Sequence, residues 1–358
     1  MSARVIHSNL QVLGTGCALP GSAISNQVLL QKIQDNFNLS TLLGSGLAKR
    51  LRVHTRHHSR DWLARLEHPR PGHRNPELAA KAVLQALQHA GLSSANLQYL
   101  LGHTTTPAKL LPPNIAEVAQ LLNHSAPYAE LRQACTGFAN ALQLAAGMLS
   151  QPNAAPIAIV GSEVGSVFFD PDILSKEPSQ WVNLMQMGDG AGAIIIGPAH
   201  ANNQGASINT LFFGHIGLDK ISGFSLEEGG SDYAAMRSEH ATTIFQHDFA
   251  HVKTHGLQLF QAGLSTVLEA GVKLTDLKYI IPHQANGHIG QWLAKQLNMN
   301  PALFYGNAEH VGNLGSASIW VALHELRTSG LLQLGDRVLI LGAEATQFMY
   351  GGFIYVHG

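Results

Sequence analysis

The sequence predicts an α/β protein built from two similar halves, and an internal repeat is the main reason for this prediction. Residues 89–103 resemble residues 269–283, which lie 180 positions later. Residues 158–164 resemble residues 339–345, which lie 181 positions later. Two matches at nearly the same offset, about half of the 358 residues, indicate a duplicated unit rather than chance similarity.

The two halves are expected at residues 1–205 and 206–358. In each half a helix with apolar spacing precedes a short apolar strand, and another helix separates that strand from the next. Apolar strands without polar alternation are typical of mainly parallel sheets that are covered on both faces. We therefore expect a layered αβαβα arrangement in which two sheets share a central layer of helices.

Each predicted element has a local signal. The first helix of each half ends near a glycine, Gly91 or Gly271, which suits a helix C-terminus. The closing strand of each half is a short run of large apolar residues that follows glycines. In the first half we predict a helix over residues 77–90 and strands over 99–102, 156–161 and 194–196. In the second half we predict a helix over residues 249–270 and strands over 279–282, 337–342 and 353–356.

The composition excludes several classes of protein. With 45% apolar and 13% charged residues, the chain can bury a large core and is not a disordered chain. The formal net charge of −1 provides no field that would attract nucleic acid or an anionic membrane. No apolar run approaches the roughly 18 residues that cross a bilayer, so we expect no membrane insertion. The first residues lack a signal-peptide pattern and two cysteines cannot form a disulfide framework, so we expect a cytoplasmic protein.

Arginine and histidine are concentrated between residues 49 and 74. The 20 histidines of the chain raise the question of a metal, but no cysteine or carboxylate stands at regular ligand spacing and nearby arginines would repel a cation. We therefore expect no metal site.

The simplest interpretation of residues 49–74 is a solvated surface. The alternative is a collar for a phosphate-bearing ligand, because the arginine fork suits phosphate; the segment has too few aromatic residues to indicate nucleic-acid binding.

Cys135 is the candidate nucleophile. The segment QACTGFAN at residues 133–140 opens a helix of small and apolar residues that should run to about Leu149. At a helix N-terminus, free backbone N–H groups and the helix dipole favour the thiolate form of a cysteine. The alternative is an inert buried cysteine, a common environment for this residue type.

Two polar residues of the second half are the candidate partners of Cys135. His283 lies in the segment PHQAN at residues 282–286, directly after a predicted strand, and open α/β sheets place their sites at strand C-termini. Asn313 stands just before a predicted helix that corresponds in the repeat to the cysteine helix. If a twofold axis relates the two halves, Asn313 approaches Cys135. A structural histidine and a helix-capping asparagine are the alternatives.

The glycine-rich segment GDGAGA at residues 188–193 is the remaining motif. It lacks the spacing of a phosphate-binding loop, and it leads into a predicted strand rather than a helix. We therefore interpret it as a tight glycine turn.

Taken in order, these segments resemble the β-ketoacyl-acyl carrier protein synthase III family of thiolase-fold condensing enzymes. The matching segments are ACTGF at 134–138, GDGAGA at 188–193, PHQAN at 282–286, GN at 312–313 and SAS at 316–318, with VLGTG at 12–16 and TTTP at 104–107 in support. The resemblance spans nearly the whole chain. It implies a thiolase-like fold in which the first half carries the cysteine and the second half carries the histidine and the asparagine.

The resemblance also implies a role for each candidate residue. Cys135 would accept an acyl group from an acyl thioester. His283 and Asn313 would hydrogen-bond the carbonyl of a malonyl-type or β-ketoacyl donor and stabilise its enolate. The backbone N–H groups of Cys135 and Ala345 would form a second oxyanion hole. The product would serve fatty-acid, polyketide or secondary-metabolite synthesis.

Partners and cofactors follow from the same resemblance. Arg50 and Asn286 would contact the arm of CoA or phosphopantetheine. Acyl-CoA or acyl carrier protein would deliver the acyl group, and no metal or redox cofactor is required. The chain would form a homodimer in which the loop after Thr106 faces the partner's site.

Several positions depart from the family pattern. Val311 and Leu314 replace a histidine and a threonine beside Asn313, and His288 replaces an arginine that contacts the carrier protein. A glycine-rich loop near the C-terminus corresponds roughly to residues 344–347, EATQ. These changes predict a specialised rather than a housekeeping member. Condensation is the leading function, with two alternatives: simple acyl transfer from the same cysteine, and a non-catalytic subunit of a heteromeric synthase.

Overall fold

The computed structural model describes residues 3–198, 205–226 and 245–358. The strands are β1 Arg4–Ala18, β2 Ile24–Ser25, β3 Thr55–Arg56, β4 Tyr99–His103, β5 Tyr128–Leu131, β6 Ile157–Glu163, β7 Gly190–Gly197, β8 Ser207–His215, β9 Phe224–Ser225, β10 Gln246–His247, β11 Leu277–Pro282, β12 Arg337–Glu344 and β13 Met349–Val356. The helices are α1 Asn26–Phe37, α2 Leu42–Leu51, α3 Asn75–Ala90, α4 Asn114–Leu121, α5 Gly137–Leu149, α6 Pro171–Leu174, α7 Pro178–Gln186, α8 Phe249–Glu269, α9 Ile289–Leu297, α10 Ala308–Val311 and α11 Ser318–Thr328.

Hydrogen bonds join nine of these strands into one sheet, in the order β11-β12-β13-β8-β1-β7-β6-β4-β5. The order β1-β7-β6-β4 of the first half matches the order β8-β13-β12-β11 of the second half. β1 connects them because its first residues pair with β8 and its last residues pair with β7. The two half-sheets are therefore continuous through β1, a connection that the repeat did not predict. The expected boundary at 205 follows residues 199–204, which lie outside the described residues, and it stays a prediction.

The helices form three layers around these half-sheets. α5 and α11 lie between them, and Phe138 of α5 meets Trp320 of α11 edge-on, with ring centroids 5.8 Å apart. α3 covers the outer face of the first half-sheet, and α8 covers the outer face of the second. Three clusters of buried apolar residues fill the spaces between these layers. The predicted αβαβα layering is confirmed.

Close contact between α3 and the first half-sheet depends on glycine. A Cβ atom on Gly14 of β1 would lie 2.1 Å from the carbonyl oxygen of Ala86 in α3, and one on Gly16 would lie 2.3 Å from that of Ala82. A side chain at either position would force the helix away from the strand. The glycines of the segment VLGTG thus set the distance between strand and helix.

The arginine-rich segment is more deeply buried than a solvated surface. Arg56 and Arg60 are fully buried, and so is Trp62. Arg60 donates to the carbonyl oxygen of Phe169 (2.8 Å) and lies 4.1 Å from the ring centroid of Trp62. The interpretation as a solvated surface was wrong for these residues, because a guanidinium with several carbonyl acceptors can be buried and then ties its segment to the core.

Within the described ranges, no helix is long and apolar enough to cross a membrane.

Candidate active site

The three candidate catalytic residues meet at one cavity of about 170 Å³. Cys135 lies two residues before α5 begins, His283 directly follows β11, and Asn313 lies shortly before α11. α5 and α11 occupy equivalent places in the two halves. The pseudo-twofold relation therefore brings Cys135 and Asn313 together although 178 positions separate them in the sequence.

His283 is held as a neutral imidazole. Its backbone N–H donates to the carbonyl oxygen of Leu341 on β12 (2.9 Å), which fixes the residue at the end of the sheet. Burial lowers the pKa of His283 to about 4, so that the ring is uncharged near neutral pH. Among the described residues, its Nδ1 atom has no hydrogen-bond partner. That atom is buried, but the residue lines the cavity, so the ring is placed to exchange a hydrogen bond or a proton with a ligand there.

Asn313 is anchored by its backbone and oriented by its side-chain oxygen. Its N–H donates to the carbonyl oxygen of Gln186 (2.8 Å), and its carbonyl oxygen accepts from the N–H of Gly188 (3.0 Å). Its Oδ1 atom accepts from the N–H of Gly315 (2.9 Å) and from Ser318 Oγ (3.3 Å). Because the oxygen is occupied by these donors, the amide NH₂ group is the part left to donate to a ligand.

A carboxylate, not the sulfur of Cys135, occupies the start of α5. Glu344 accepts a hydrogen bond from the N–H of Thr136 (2.8 Å) and another from its Oγ1 (2.7 Å). Burial, and then the negative charges of Glu344 and Glu163, raise the pKa of Cys135 well above its usual value. The expectation of a thiolate stabilised by the helix was therefore wrong, and Cys135 rests as a thiol.

Glu163 and Glu344 are site residues that the motifs did not single out. The repeat carried a signal for them, because they are equivalent residues at the ends of β6 and β12. Glu163 accepts a hydrogen bond from Ser316, the positional counterpart of Cys135, while Glu344 accepts from Thr136. The side chain of Glu163 in the first half thus reaches the residues just before α11 in the second half. The side chain of Glu344 in the second half reaches the residues just before α5 in the first half.

His103 is the repeat counterpart of His283, but it has a structural environment. It is buried between the layers, and Trp320 Nε1 donates to its Nε2 atom (3.0 Å). Burial lowers its pKa to about 3, which keeps the ring neutral. It also packs so closely on α5 that a Cβ on Gly137 would lie 2.7 Å from its Nδ1 atom. It does not line the cavity that contains Cys135.

The turn between β12 and β13 forms one wall of the cavity. Ala345 lines the cavity, and its carbonyl oxygen accepts from the N–H of Gly223 (3.0 Å). Thr346 donates its hydroxyl to Glu344, which secures the turn to the carboxylate. Ala345 thus has a suitable location, and its role in an oxyanion hole stays a prediction.

Arg50 and Asn286 lie outside the residues that line the cavity. Arg50 is exposed on α2. Asn286 accepts a hydrogen bond from the N–H of His288 (3.1 Å), and the next residue, Gly287, donates to the carbonyl oxygen of Leu51 at the end of α2 (3.0 Å). The two residues thus belong to adjacent elements. Their contact with a phosphopantetheine arm remains a prediction.

The glycine-rich segment at 188–193 is a turn into β7, as its sequence indicated. Asp189 is buried and accepts hydrogen bonds from the N–H groups of Ser59 (2.7 Å) and Ser166 (2.9 Å). Its carboxylate therefore ties the arginine-rich segment to the loop after β6. Across the described ranges, no three side chains of the ligating types form a group that could hold a metal ion.

The part of the cavity wall on the side of α8 is mostly apolar, and we call this part the apolar arm. One face of that helix contributes Val252, Gly256, Leu259 and Phe260. Aromatic rings complete the arm, from Phe224, Phe245 and Phe348. An arm of this composition suits a hydrocarbon chain attached to a group held near Cys135.

Two family models match parts of the chain that contain these residues. The model described as 3-oxoacyl-(acyl-carrier-protein) synthase III matches residues 129–214, and its C-terminal counterpart matches residues 267–355. Cys135 falls in the first match, and His283 and Asn313 fall in the second.

Curated relatives align over nearly the whole chain. A β-ketoacyl-(acyl-carrier-protein) synthase III of Clostridium tetani is 27% identical over 346 residues, with 94% of this chain and 95% of the relative covered. A protein of the same name from Aquifex aeolicus is 26% identical over 331 residues, with 92% and 94% covered.

Solved structures show the same fold. AbyA1, a tetronic acid condensing enzyme, has a TM-score of 0.84 at 24% identity, with 98% of this chain and 100% of that chain covered. The synthase III FabH from Pseudomonas aeruginosa PAO1 has a TM-score of 0.77 at 24% identity, with 98% of each chain covered. The family models and the curated relatives show that this chain is similar to β-ketoacyl-acyl carrier protein synthase III proteins, and the solved structures show that it has the same α/β layered fold.

Proposed function

We propose that this chain is a 3-oxoacyl-acyl carrier protein synthase III-like acyltransferase that loads an acyl group on Cys135 and condenses it with a second thioester. The observation that best supports this proposal is the single cavity lined by Cys135, His283 and Asn313. It combines a nucleophile with two uncharged polar groups. Uncharged hydrogen-bond donors suit a carbonyl oxygen on which negative charge develops during reaction.

In the loading step, the sulfur of Cys135 attacks the carbonyl carbon of an acyl thioester. Because Cys135 rests as a thiol, its proton must leave as the new C–S bond forms. His283 is neutral and can accept that proton, which then passes to the thiolate that leaves with the carrier. The backbone N–H groups of Cys135 and Ala345 are the proposed donors to the oxygen of the tetrahedral intermediate.

In the condensing step, His283 and Asn313 would hydrogen-bond the thioester carbonyl of the donor. The α-carbon of the donor then attacks the acyl carbonyl, so that a C–C bond forms and the C–S bond to Cys135 breaks. A malonyl-type donor supplies the electron pair by losing carbon dioxide. A β-ketoacyl donor supplies it by losing an α-proton to a carboxylate of the cavity wall, Glu163 or Glu344, and the sulfur that leaves the acyl group takes up that proton.

The two carboxylates of the cavity wall bear on the choice of donor. Glu163 and Glu344 line the cavity that a malonyl group would have to enter, and carboxylates there would repel its free carboxylate. This arrangement favours a β-ketoacyl donor. It also supports a second candidate function, in which Cys135 passes its acyl group to an alcohol or an amine without forming a C–C bond.

Intact-mass measurement after addition of acyl-CoA tests the proposal. The unaltered chain should gain the mass of one acyl group, and Cys135→Ala should gain none. An adduct that persists in Cys135→Ala would exclude Cys135 as the acceptor. A chain that gains no mass from any acyl thioester would be a non-catalytic subunit.

The acceptor of the acyl group then distinguishes the two candidate functions. A ketone-containing product from two thioesters supports condensation, and carbon dioxide release shows whether a malonyl donor is used. An ester or amide product without a new C–C bond supports acyl transfer.

Acyl-CoA or acyl carrier protein is the proposed source of the acyl group, with Arg50 and Asn286 as proposed contacts of its arm. Both carriers belong to the cytoplasm, so the proposal includes that location.

We also propose a homodimer. Its support is the edge strand β5 together with Leu110 and Leu111, whose side chains are exposed in the loop between Thr106 and α4.

A further inference from the structure

Gly256 is an unexpected residue in the middle of α8. The helix runs from Phe249 to Glu269, and Gly256 is its eighth residue. Glycine is less favourable than alanine in a helix interior because the unfolded chain loses more backbone freedom there. A glycine in this position therefore calls for a reason, such as close packing or space for a ligand.

Close packing explains the other interior glycine of α8 but not this one. A Cβ on Gly263 would lie 2.7 Å from Leu341 Cδ1 and 3.3 Å from Phe212, so a side chain there would collide with the second half-sheet. A Cβ on Gly256 would meet no atom within 4 Å in the described part of the chain. Helix packing thus requires glycine at 263 and leaves residue 256 free to carry a side chain.

The space beside Gly256 belongs to the cavity. Gly256 lines it together with Val252, Leu259 and Phe260, which share its helix face at spacings of three and four residues. The same cavity reaches Cys135. A side chain on residue 256 would therefore project into the space that an acyl group on Cys135 could occupy.

We propose that Gly256 is a specificity-determining residue, whose missing side chain leaves room for the distal methylene groups of a medium or long unbranched acyl chain on Cys135. The inference rests on the proposed function and names its substrate class. Apart from His247, the walls of the arm are aliphatic and aromatic, which suits methylene groups better than polar acyl tails. Each buried methylene group should improve loading about fourfold until the chain reaches the end of the arm.

A chain-length profile of Cys135 loading tests the inference. The unaltered protein and the variants Gly256→Ala and Gly256→Leu would be offered a series of saturated acyl-CoA thioesters, and loading rates would be measured by intact mass. Leu should lower the ratio of long-chain to short-chain loading by about sixteenfold or more, equivalent to two or more lost methylene groups at fourfold each. Ala should lower the same ratio by a smaller factor, so the series stays informative if the leucine variant folds poorly.

Gly147 provides a matched control. It is an exposed glycine in α5, and in the described residues a Cβ there also meets no atom within 4 Å, but it does not line the cavity. Gly147→Ala and Gly147→Leu should leave the ratio unchanged. Equal ratios in the unaltered protein and both Gly256 variants would overturn the inference alone. Failure of every acyl-CoA and of the matching acyl carrier protein thioesters to modify Cys135 in the unaltered protein would overturn the proposed function and this inference with it.

Discussion

Cys135 lies in an environment that raises rather than lowers its pKa. A helix N-terminus is commonly invoked to activate a cysteine, but at α5 the N–H of Thr136 donates to Glu344. The sulfur is buried beside Glu344 and Glu163, and both charges disfavour the thiolate. A thiol in such a site is protected from oxidation and alkylation until a base removes its proton. In the proposed mechanism, nucleophilic attack then depends on proton transfer to His283 rather than on a preformed thiolate.

Glu344→Gln should make Cys135 more reactive. The amide keeps the size of the side chain and can still accept from Thr136, but it removes a negative charge that raises the pKa of Cys135. The thiolate fraction should therefore increase at every pH below that pKa. The rate of alkylation by iodoacetamide, measured as a function of pH, should increase at a lower pH in Glu344→Gln than in the unaltered protein.

The second thiol of the chain has to be removed for this measurement. Burial and the nearby Glu325 raise the pKa of Cys17 to about 11, and Cys17→Ser provides a background with one reactive sulfur. An unchanged pH profile, or one displaced to higher pH, would contradict the electrostatic role assigned to Glu344.

Asn313→Ala should separate loading from condensation. The amide NH₂ of Asn313 is assigned to the donor carbonyl and has no part in the attack of Cys135 on the acyl thioester. Loss of one donor to a developing oxyanion commonly costs a factor of about 10²–10³. Product formation should fall by that order while the acyl adduct on Cys135 still forms. Equal loss of adduct and product would show that Asn313 acts in loading or only in folding.

At the scale of elements, the arginine-rich segment is part of the scaffold of the site. Arg60 holds its own segment to the loop after β6, through Phe169, and Asp189 connects the same two segments through Ser59 and Ser166. Asp189 directly precedes β7 and directly follows Gly188, whose N–H donates a hydrogen bond to the carbonyl oxygen of Asn313. The buried charges of this segment therefore support the backbone that orients Asn313.

Arg60→Ala should destabilise the protein by about 3 kcal/mol, because it leaves several buried carbonyl oxygens without donors. Arg60→Lys should recover only part of this loss, since one ammonium group cannot match the planar fork of a guanidinium. Lys49→Ala, at an exposed position of the same segment, should change stability by no more than about 0.5 kcal/mol. Thermal or urea unfolding of the three variants measures these differences. Similar stability of Arg60→Ala and Lys49→Ala would show that the buried guanidinium is dispensable.

Helices and strands with a strong hydrophobic pattern could be predicted from the sequence. The burial and the contacts of side chains that meet residues of distant segments could not. The apolar strands β4, β6, β11 and β12 have a signal within their own residues, and so does the helix α8. The burial of Arg60 depends on Phe169, more than 100 positions away, and no local pattern encodes it. The same holds for Glu344, whose effect on Cys135 follows from the meeting of β12 with α5.

At the scale of the whole molecule, two reciprocal carboxylate contacts link the halves at the site. Glu163 of the first half accepts from Ser316 of the second, and Glu344 of the second accepts from Thr136 of the first. Duplication explains why both carboxylates are present. It does not explain the asymmetry of function, which arises because one helix entry carries Cys135 and the other carries Ser316. The counterpart of His283 differs as well, because His103 accepts a hydrogen bond from Trp320 and does not line the cavity.

The edge of the nine-stranded sheet is the proposed dimer interface. β5 is its last strand, and an edge strand with unpaired backbone groups can pair with another copy. In the nearby loop, Leu111 is 82% exposed, an unusual exposure for a leucine that covering by a second copy would explain. We expect the protein to have twice the mass of one chain in size-exclusion chromatography with light scattering.

Leu111→Asp should shift this equilibrium towards the monomer, because burial of an unpaired carboxylate at an apolar interface is unfavourable. Leu334→Asp is a suitable control, since Leu334 is 76% exposed in the turn before β12, at the other end of the sheet order. It should leave the mass unchanged. A monomer in the unaltered protein would exclude the dimer at the concentration used. A dimer that both variants retain equally would instead place the interface away from this loop. The main support for pairing through the edge strand β5 would then be lost.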